Sequence, residues 1–241
     1  MPNHGTFLWC DLSTLHLKRA CAFYADLFGW QVAHDDYAIA SNAAGPVAGL
    51  FPMPQRFRDI GMPSFWMSYI GVRDIGAAVA TATTSGGKVE LGPEPFPDGG
   101  QIALIRDPLG AGFTVYQGSS PAGVAVGVGG RRGHALFVSD ADAVIPFYQA
   151  LIGWQCGQDN NGTRAILQGG GTIAHLHEVP DPALRGTEEY WAVIFSATPN
   201  TSTRLPGSGG HVLASAALPE GAAKMATDPD GAMFFFTENA S

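Results

Sequence analysis

Apolar and polar positions along this chain follow two periods, one typical of strands and one typical of helices. The opening segment FLWCDLST alternates as a β-strand does and places Phe7, Trp9 and Asp11 on one face. Over residues 15–27 the apolar side chains recur every three or four positions, which predicts an amphipathic helix that ends at Gly29. Three short alternating segments follow, so the opening of the chain is predicted to fold as βαβββ.

The same order of elements returns before residue 118. The segment FWMSYIGV alternates with Phe65, Met67 and Tyr69 on one face, and Asp74 then heads a helical segment that ends in two glycines. Three further strand-like segments follow. The first half of the chain is therefore predicted to consist of two βαβββ modules.

Nearly identical phrases then show that this half is duplicated. FYADLFGWQ (Phe23–Gln31) returns as FYQALIGWQ (Phe147–Gln155), and DPLGAGF (Asp107–Phe113) returns as DPDGAMF (Asp228–Phe234). VAGLFPMP has a degenerate echo in IAHLHEVP. Because the phrases keep their order, we predict a domain over 1–117, a Gly/Ser-rich linker over 118–132 and a second domain over 133–241.

One element is predicted to be weaker in the second copy. The segment SATPNTSTRLPGSGG contains two prolines and three glycines where the first half has a clean helical pattern. A loop, or at most a fragment of helix, is expected there.

Composition and charge exclude several classes of partner. The formal net charge is −8, and only 14% of residues are charged. Binding to nucleic acid or to an anionic membrane is not expected, since phosphate recognition needs clustered Lys and Arg. The N-terminus has no signal-peptide pattern and three irregularly spaced cysteines indicate reduced thiols, so a cytoplasmic protein is expected.

The repeated phrases resemble the vicinal oxygen chelate superfamily, which includes glyoxalase I, bleomycin-resistance proteins and extradiol dioxygenases. The chain is most similar to the two-domain glyoxalase-like proteins of actinobacteria. The resemblance implies an α+β fold of tandem glyoxalase-like domains, each made of paired βαβββ modules curled around a cleft. It also implies a small-molecule ligand and a monomer or homodimer, while the reaction class stays open.

The metal positions implied by the resemblance carry unsuitable side chains in the first half. They correspond to Trp9, Met67 and Thr114, with Gly49 and Leu50 in the middle phrase. None of these is a ligand of the carboxylate or imidazole type that divalent metals prefer. We therefore expect no metal and no cofactor in this half.

The second half leaves an alternative open. His134 lies one position from the first ligand slot, and His175 and His177 lie in the echo of the middle phrase. Together they would form the histidine-based site of a metal-dependent lyase or dioxygenase. The competing interpretation is that these histidines only form hydrogen bonds in or beside a pocket.

The leading hypothesis is a metal-independent protein that binds a mid-sized aromatic or polyketide-like molecule. It would sequester that molecule or catalyse a proton-transfer or cyclisation step in natural-product metabolism. Desolvation would raise the pKa of a buried Asp11 and suit it to general acid–base chemistry, and a buried titratable group within reach of the ligand is what catalysis needs, so Asp11 and His134 are the candidate catalytic residues. The candidate ligand-binding residues are Trp9, Phe7, Met67, Tyr69, Tyr37, Phe51, Tyr116 and His175.

Overall fold

The strands form two eight-stranded mixed sheets, and each sheet comes from one half of the sequence. The computed structural model describes residues 4–33, 36–96, 99–118, 125–182, 189–219 and 221–238. The predicted α+β class and the four βαβββ modules are confirmed. No helix in these described ranges is long and apolar enough to span a membrane.

The first sheet has the strand order β2-β3-β4-β1-β5-β8-β7-β6. Its elements are β1 (Phe7–Thr14), α1 (Leu17–Phe28), β2 (Gln31–Val32), β3 (Ala38–Asn42), β4 (Gly45–Pro52), α2 (Gln55–Asp59), β5 (Phe65–Gly71), α3 (Ile75–Thr84), β6 (Lys88–Pro95), β7 (Gln101–Arg106) and β8 (Gly112–Gln117). Strands β1 and β4 run parallel, and so do β5 and β8.

The second sheet repeats this order as β10-β11-β12-β9-β13-β16-β15-β14. Its elements are β9 (Arg131–Val138), α4 (Ala141–Ile152), β10 (Gln155–Cys156), β11 (Thr163–Gln168), β12 (Gly171–Glu178), β13 (Tyr190–Ala197), α5 (Thr201–Arg204), a 3-10 turn (Leu205–Ser208), β14 (His211–Leu218), β15 (Gly221–Thr227) and β16 (Met233–Glu238). The four-residue α5 and the 3-10 turn confirm the fragmentary second helix, where the first half has the ten-residue α3.

Contacts divide the chain into two compact units that each combine modules from both halves. The first unit comprises Met1–Leu8, Ser68–Pro121 and His134–Trp191. The second comprises Trp9–Met67, Ala122–Gly133 and Ala192–Ser241. Each unit has its own apolar core.

The repeated phrases form the same hydrogen-bonded network in both units. In the second unit Trp66 Nε1 donates to the Tyr24 hydroxyl at 2.9 Å, and that hydroxyl donates to Asp228 Oδ2 at 3.3 Å. The other oxygen of Asp228 accepts hydrogen bonds from the backbone N–H groups of Asp230 and Ala232 and so closes the turn. The tyrosine of the first half therefore bonds to the aspartate of the second half.

The first unit contains the reciprocal network. Trp191 Nε1 donates to the Tyr148 hydroxyl at 2.9 Å, and this hydroxyl donates to Asp107 Oδ2 at 2.9 Å. Asp107 Oδ1 accepts from the backbone of the DPLGA turn. The duplicated phrases thus form a buried helix end and a strand-linking turn, and each copy bonds to its counterpart from the other half.

Part of the predicted linker packs against the second unit. Ala125 N donates to the carbonyl of Pro46, and Trp30 Nε1 donates to the carbonyl of Gly129 at 2.6 Å. Residues 119–124 of this segment lie outside the described residues. The boundaries at 117 and 133 stay a prediction.

Candidate functional site

Three side chains predicted to belong to the site form one polar cluster in the second unit. Trp9 Nε1 donates to Asp11 Oδ1 at 2.6 Å and to the Tyr37 hydroxyl at 2.8 Å. The Tyr37 hydroxyl in turn donates to the same Asp11 oxygen at 2.7 Å. The three groups therefore close a triangle of hydrogen bonds around one carboxylate oxygen.

The cluster lies on the face of β1 opposite the apolar core. Cys10 and Leu12 belong to that core, as does Leu50 of the neighbouring β4, whereas Trp9 and Asp11 alternate to the other face. The Asp11 side chain is nevertheless buried, and the residue is only 1% exposed. A carboxylate is costly to bury unless it is hydrogen-bonded, and Trp9 and Tyr37 supply those bonds.

A glycine on β4 makes room for the cluster. Gly49 lies opposite Asp11 in the parallel register of β1 and β4. A Cβ atom at Gly49 would come within 2.3 Å of both Asp11 Oδ1 and the Tyr37 hydroxyl. The Tyr37 phenol thus occupies the space that any larger residue at position 49 would need.

Aromatic and apolar groups flank these polar atoms. The Tyr37 ring stacks on the ring of Phe51, with centroids 6.2 Å apart. Burial, and secondarily the nearby Asp11 carboxylate, raise the pKa of the Tyr37 hydroxyl well above its usual range. The hydroxyl therefore stays protonated and acts as a donor to Asp11. Met67 of the same unit is buried but lies outside the apolar core cluster.

Tyr69 and Tyr116 form a separate aromatic cluster in the first unit. Their rings contact Phe96 at centroid distances of 6.1 and 5.9 Å. Phe96 was not among the predicted residues, because it lies at the end of a strand with irregular register and no local pattern marks it.

Phe7 and His134 pair with each other in the core of the first unit. Their rings stack at 3.9 Å, and His134 Nδ1 is hydrogen-bonded to Ser68 Oγ at 2.9 Å. Phe7 also contacts Trp191 and belongs to the apolar core. Strand alternation predicts that Phe7 shares a face with Trp9. At the beginning of β1, however, the Phe7 ring packs in the apolar core of the first unit.

The register of β9 keeps His134 apart from His175. His175 lies opposite Ala135 in the parallel pair of β12 and β9, as Gly49 lies opposite Asp11 in the first half. The adjacent His134 therefore points to the other face, toward Ser68. Since Ala135 corresponds to Asp11, Gly133 corresponds to Trp9 and occupies the first ligand slot, and His134 does not reach it.

His175 and His177 share a face of β12, with ring centroids 6.5 Å apart. His177 Nδ1 is hydrogen-bonded to Thr163 Oγ1, and its ring stacks on Phe137, which stacks on Tyr190. The His177 imidazole thus combines a hydrogen bond to a hydroxyl with stacking on an aromatic ring.

The residues at the metal-ligand positions that the sequence resemblance implies do not fit a divalent metal. Within the ranges that the structure describes, no three His, Cys, Asp or Glu residues come together in a way that could hold a metal ion. Trp9, Gly49 and Met67 supply no suitable donor, and the carboxylate of Asp11 is already engaged by two donors.

Two features of the site escaped prediction from sequence. The sequence marks Gly49 only as a position without a metal-binding side chain. Its closeness to Tyr37 depends on the register between strands. Ser13, two residues after Asp11 on the same strand, is fully buried, and its Oγ has no hydrogen-bond partner in the described part of the chain. A serine at a strand end carries no local signal for this environment.

Curated relatives match the chain along nearly its whole length. One of them is CFP32 of Mycobacterium tuberculosis, which is named as a glyoxylase. It is 30% identical to this chain, and the match covers 96% of this chain and 94% of CFP32. The anthracycline biosynthesis protein DnrV of Streptomyces peucetius is 27% identical over 97% of this chain and 93% of its own.

Solved structures share the fold at low identity. The Mn(II)-bound glyoxalase from Novosphingobium aromaticivorans has a TM-score of 0.67 at 14% identity, covering 98% of this chain and 82% of that chain. A trihydroxybiphenyl dioxygenase from Sphingomonas wittichii has a TM-score of 0.60 at 13% identity, covering 97% and 91%. The family model of the Glyoxalase/Bleomycin resistance protein/Dioxygenase superfamily matches residues 6–115. With that match and the full-length relatives, the chain belongs to the glyoxalase/bleomycin resistance/dioxygenase superfamily.

Proposed function

We propose that this protein binds a mid-sized aromatic or polyketide-like molecule, without a metal ion, at the cluster of Trp9, Asp11 and Tyr37. The observation that carries the proposal is the buried Asp11 carboxylate, held by two donors on the non-core face of β1. Small-molecule sites typically combine apolar and aromatic walls with a few fixed polar groups, as this cluster does. The similarity to an anthracycline biosynthesis protein supports a polyketide-like ligand.

Emodin, a hydroxylated anthraquinone, is a suitable probe for this binding. Trp9 lies in the site, so emodin is expected to quench tryptophan fluorescence in the presence of EDTA. Asp11→Asn is expected to weaken emodin binding at least about tenfold, since a hydrogen bond to a charged group contributes roughly 1.5–3 kcal/mol. Glu238→Gln, a substitution at the hydrogen-bond partner of Ser202 in a different module, serves as the control. Emodin affinity that is the same in wild type and Asp11→Asn would place the binding site elsewhere.

The burial of Asp11 favours a second candidate function, a proton-transfer step on the bound molecule. A carboxylate next to a carbon acid takes a proton from a C–H bond, whose electron pair forms the enolate, and the carboxylic acid so formed then gives its proton to the enolate oxygen, which regenerates the carboxylate. Positioned general bases of this kind contribute about 100- to 10,000-fold. Trp9, which donates to Asp11 Oδ1, would orient the carboxylate.

Emodin anthrone tests this second function, because it is hydroxylated like emodin and its methylene group exchanges through the tautomeric anthrol. Deuterium exchange of that methylene group, followed by NMR in D₂O without oxygen, is expected to be accelerated by the protein and to fall at least about 100-fold in Asp11→Asn. Acceleration that persists in Asp11→Asn would exclude Asp11 as the base. Binding of emodin without any acceleration of emodin anthrone exchange would favour sequestration.

A further inference from the structure

A phenol ring already occupies the cluster, and it belongs to the protein. The Tyr37 hydroxyl accepts from Trp9 Nε1 at 2.8 Å and donates to Asp11 Oδ1 at 2.7 Å. Its ring stacks on Phe51. The oxygen of the phenol hydroxyl, its hydrogen and one face of the ring are thus each recognised by a different side chain.

The space that holds this ring is provided by Gly49. A Cβ atom there would lie 2.5 Å from the ring carbon that carries the hydroxyl, as well as 2.3 Å from the hydroxyl itself. A glycine at this position of a central strand gives up side-chain packing, and its gain is a phenol-sized space beside Asp11. The arrangement is therefore shaped for a hydroxylated aromatic ring.

Tyr37 is the part of this arrangement that can leave most easily. It precedes β3, which begins at Ala38, so its side chain can swing out without breaking a strand pair. The residue is half-buried, whereas Trp9 and Asp11 are buried within β1. Displacement costs the two hydrogen bonds and the ring stack, and a ligand that makes the same contacts restores them.

We propose that the space between Asp11, Trp9, Phe51 and Gly49 is a subsite for a hydroxyaromatic ring of the ligand, and that Tyr37 fills it until that ring displaces the phenol. The proposal rests on the proposed function and narrows its ligand class to hydroxylated aromatics. An aromatic ring without a hydroxyl would deprive the buried Asp11 Oδ1 of the second of its two donors, which disfavours its binding.

The first experiment removes the Tyr37 ring and offers the subsite its smallest ligand. Tyr37→Ala leaves a phenol-shaped cavity, and engineered cavities of comparable size bind small aromatic molecules. Phenol is expected to bind Tyr37→Ala at least about tenfold more tightly than benzene, as measured by ligand-observed NMR. Wild type should bind neither measurably, because its own ring fills the space. Equal affinity of Tyr37→Ala for phenol and benzene would overturn the recognition of the hydroxyl.

The second experiment measures how the Tyr37 ring competes with a larger ligand. When only a fraction of the protein is open, the apparent dissociation constant rises in inverse proportion to that fraction. Tyr37→Ala is therefore expected to bind emodin about tenfold or more tightly than wild type, and Tyr37→Phe, which keeps the ring but loses both hydrogen bonds, by a smaller factor. Tyr190→Ala, at another half-buried tyrosine, serves as the matched control and should leave emodin affinity unchanged.

The direction of the effect distinguishes this inference from the proposed function. If wild type binds emodin and Tyr37→Ala binds it more weakly, Tyr37 is a ligand contact, the inference is overturned and the proposed function stands. If Tyr37→Ala, Tyr37→Phe and wild type all fail to bind emodin while circular dichroism shows them folded, the proposed function fails and the inference fails with it. Tyr37→Phe covers the case in which Tyr37→Ala does not fold.

Discussion

At the scale of single residues, Gly49 determines whether the polar cluster can form. A methyl group at this position would overlap both Asp11 Oδ1 and the Tyr37 hydroxyl, and Asp11 lies in β1, which pairs directly with the strand that carries Gly49. Gly49→Ala is therefore expected to lower the free energy of unfolding by about 1–3 kcal/mol, the usual cost of overpacking.

Urea unfolding followed by circular dichroism checks this prediction. Gly112→Ala is the matched control, since Gly112 also lies in a strand and a Cβ atom there meets nothing within 4 Å. Gly112→Ala should therefore leave stability unchanged or raise it slightly. Similar losses of stability in both variants would mean that the crowding at Gly49 is not the cause.

Alternation along a strand predicts which residues share a face, and it goes no further. It correctly placed Trp9 and Asp11 together, because their contact lies within one strand. The contact of Tyr37 with Asp11 and Gly49 depends on the register between strands, which no local pattern encodes. The same limit explains why alternation did not reveal the surroundings of His134, since the register of β9 against β12 decides which face it occupies.

At the scale of elements, the Tyr–Asp–Trp networks connect the helix of one module to a turn from the other half of the chain. Tyr24→Phe would leave Trp66 Nε1 without its acceptor and Asp228 Oδ2 without its donor from Tyr24, both in a buried region. A loss of about 1–3 kcal/mol in the free energy of unfolding is expected. Tyr148→Phe breaks the equivalent network in the first unit and should have a similar effect.

Thermal or urea unfolding of the two variants measures these losses. The control is Tyr190→Phe, at a tyrosine outside both networks that stacks on Phe137. A negligible loss in Tyr24→Phe and Tyr148→Phe would contradict the structural role assigned to the duplicated phrases.

Asp228 gives this network a dependence on pH. Burial raises the pKa of its carboxyl from 3.8 to about 6, although hydrogen bonds from Ala232 N and the Tyr24 hydroxyl partly oppose the shift. In the unfolded chain the group loses its proton near pH 4, whereas in the folded protein it keeps the proton up to about pH 6. The contribution of Asp228 to the free energy of unfolding therefore falls by about 3 kcal/mol as pH rises from below 4 to above 6.

Asp228→Asn isolates this contribution, because its amide oxygen can still accept the turn hydrogen bonds. Relative to the variant, wild type is expected to be more stable at pH 4 than at pH 7, as measured by urea unfolding at both values. A stability difference between wild type and Asp228→Asn that does not change with pH would contradict the raised pKa.

Element prediction succeeded where the signals are local. The period of apolar residues located α1, and Asp74 caps α3 by accepting a hydrogen bond from Ala77 N, as its position indicated. Prolines and glycines likewise reduced the second-half helix to α5 and a 3-10 turn. Each of these features depends on residues close in sequence.

At the scale of the whole molecule, duplication was evident from sequence but the pairing of the copies was not. The repeated phrases alone allow a hydrogen bond from Tyr24 to either Asp107 or Asp228, since both copies of the turn begin with an aspartate. The structure pairs each tyrosine with the aspartate of the other half. Each unit therefore contains residues from both halves. Tertiary packing, and not the local sequence, decides which aspartate each tyrosine contacts.

Ligand binding is expected to require the Asp11 cluster and no metal ion. Isothermal titration calorimetry of EDTA-stripped protein with emodin, repeated after adding Mn²⁺ in excess of the chelator, tests it most directly. Emodin chelates metal itself, so Asp11→Asn is titrated under both conditions to separate binding at the site from complex formation in solution. Wild type is expected to bind emodin with the same affinity in both conditions and Asp11→Asn to bind it more weakly in both. Binding by wild type that appears only after Mn²⁺ is added would show instead that the site depends on a metal ion.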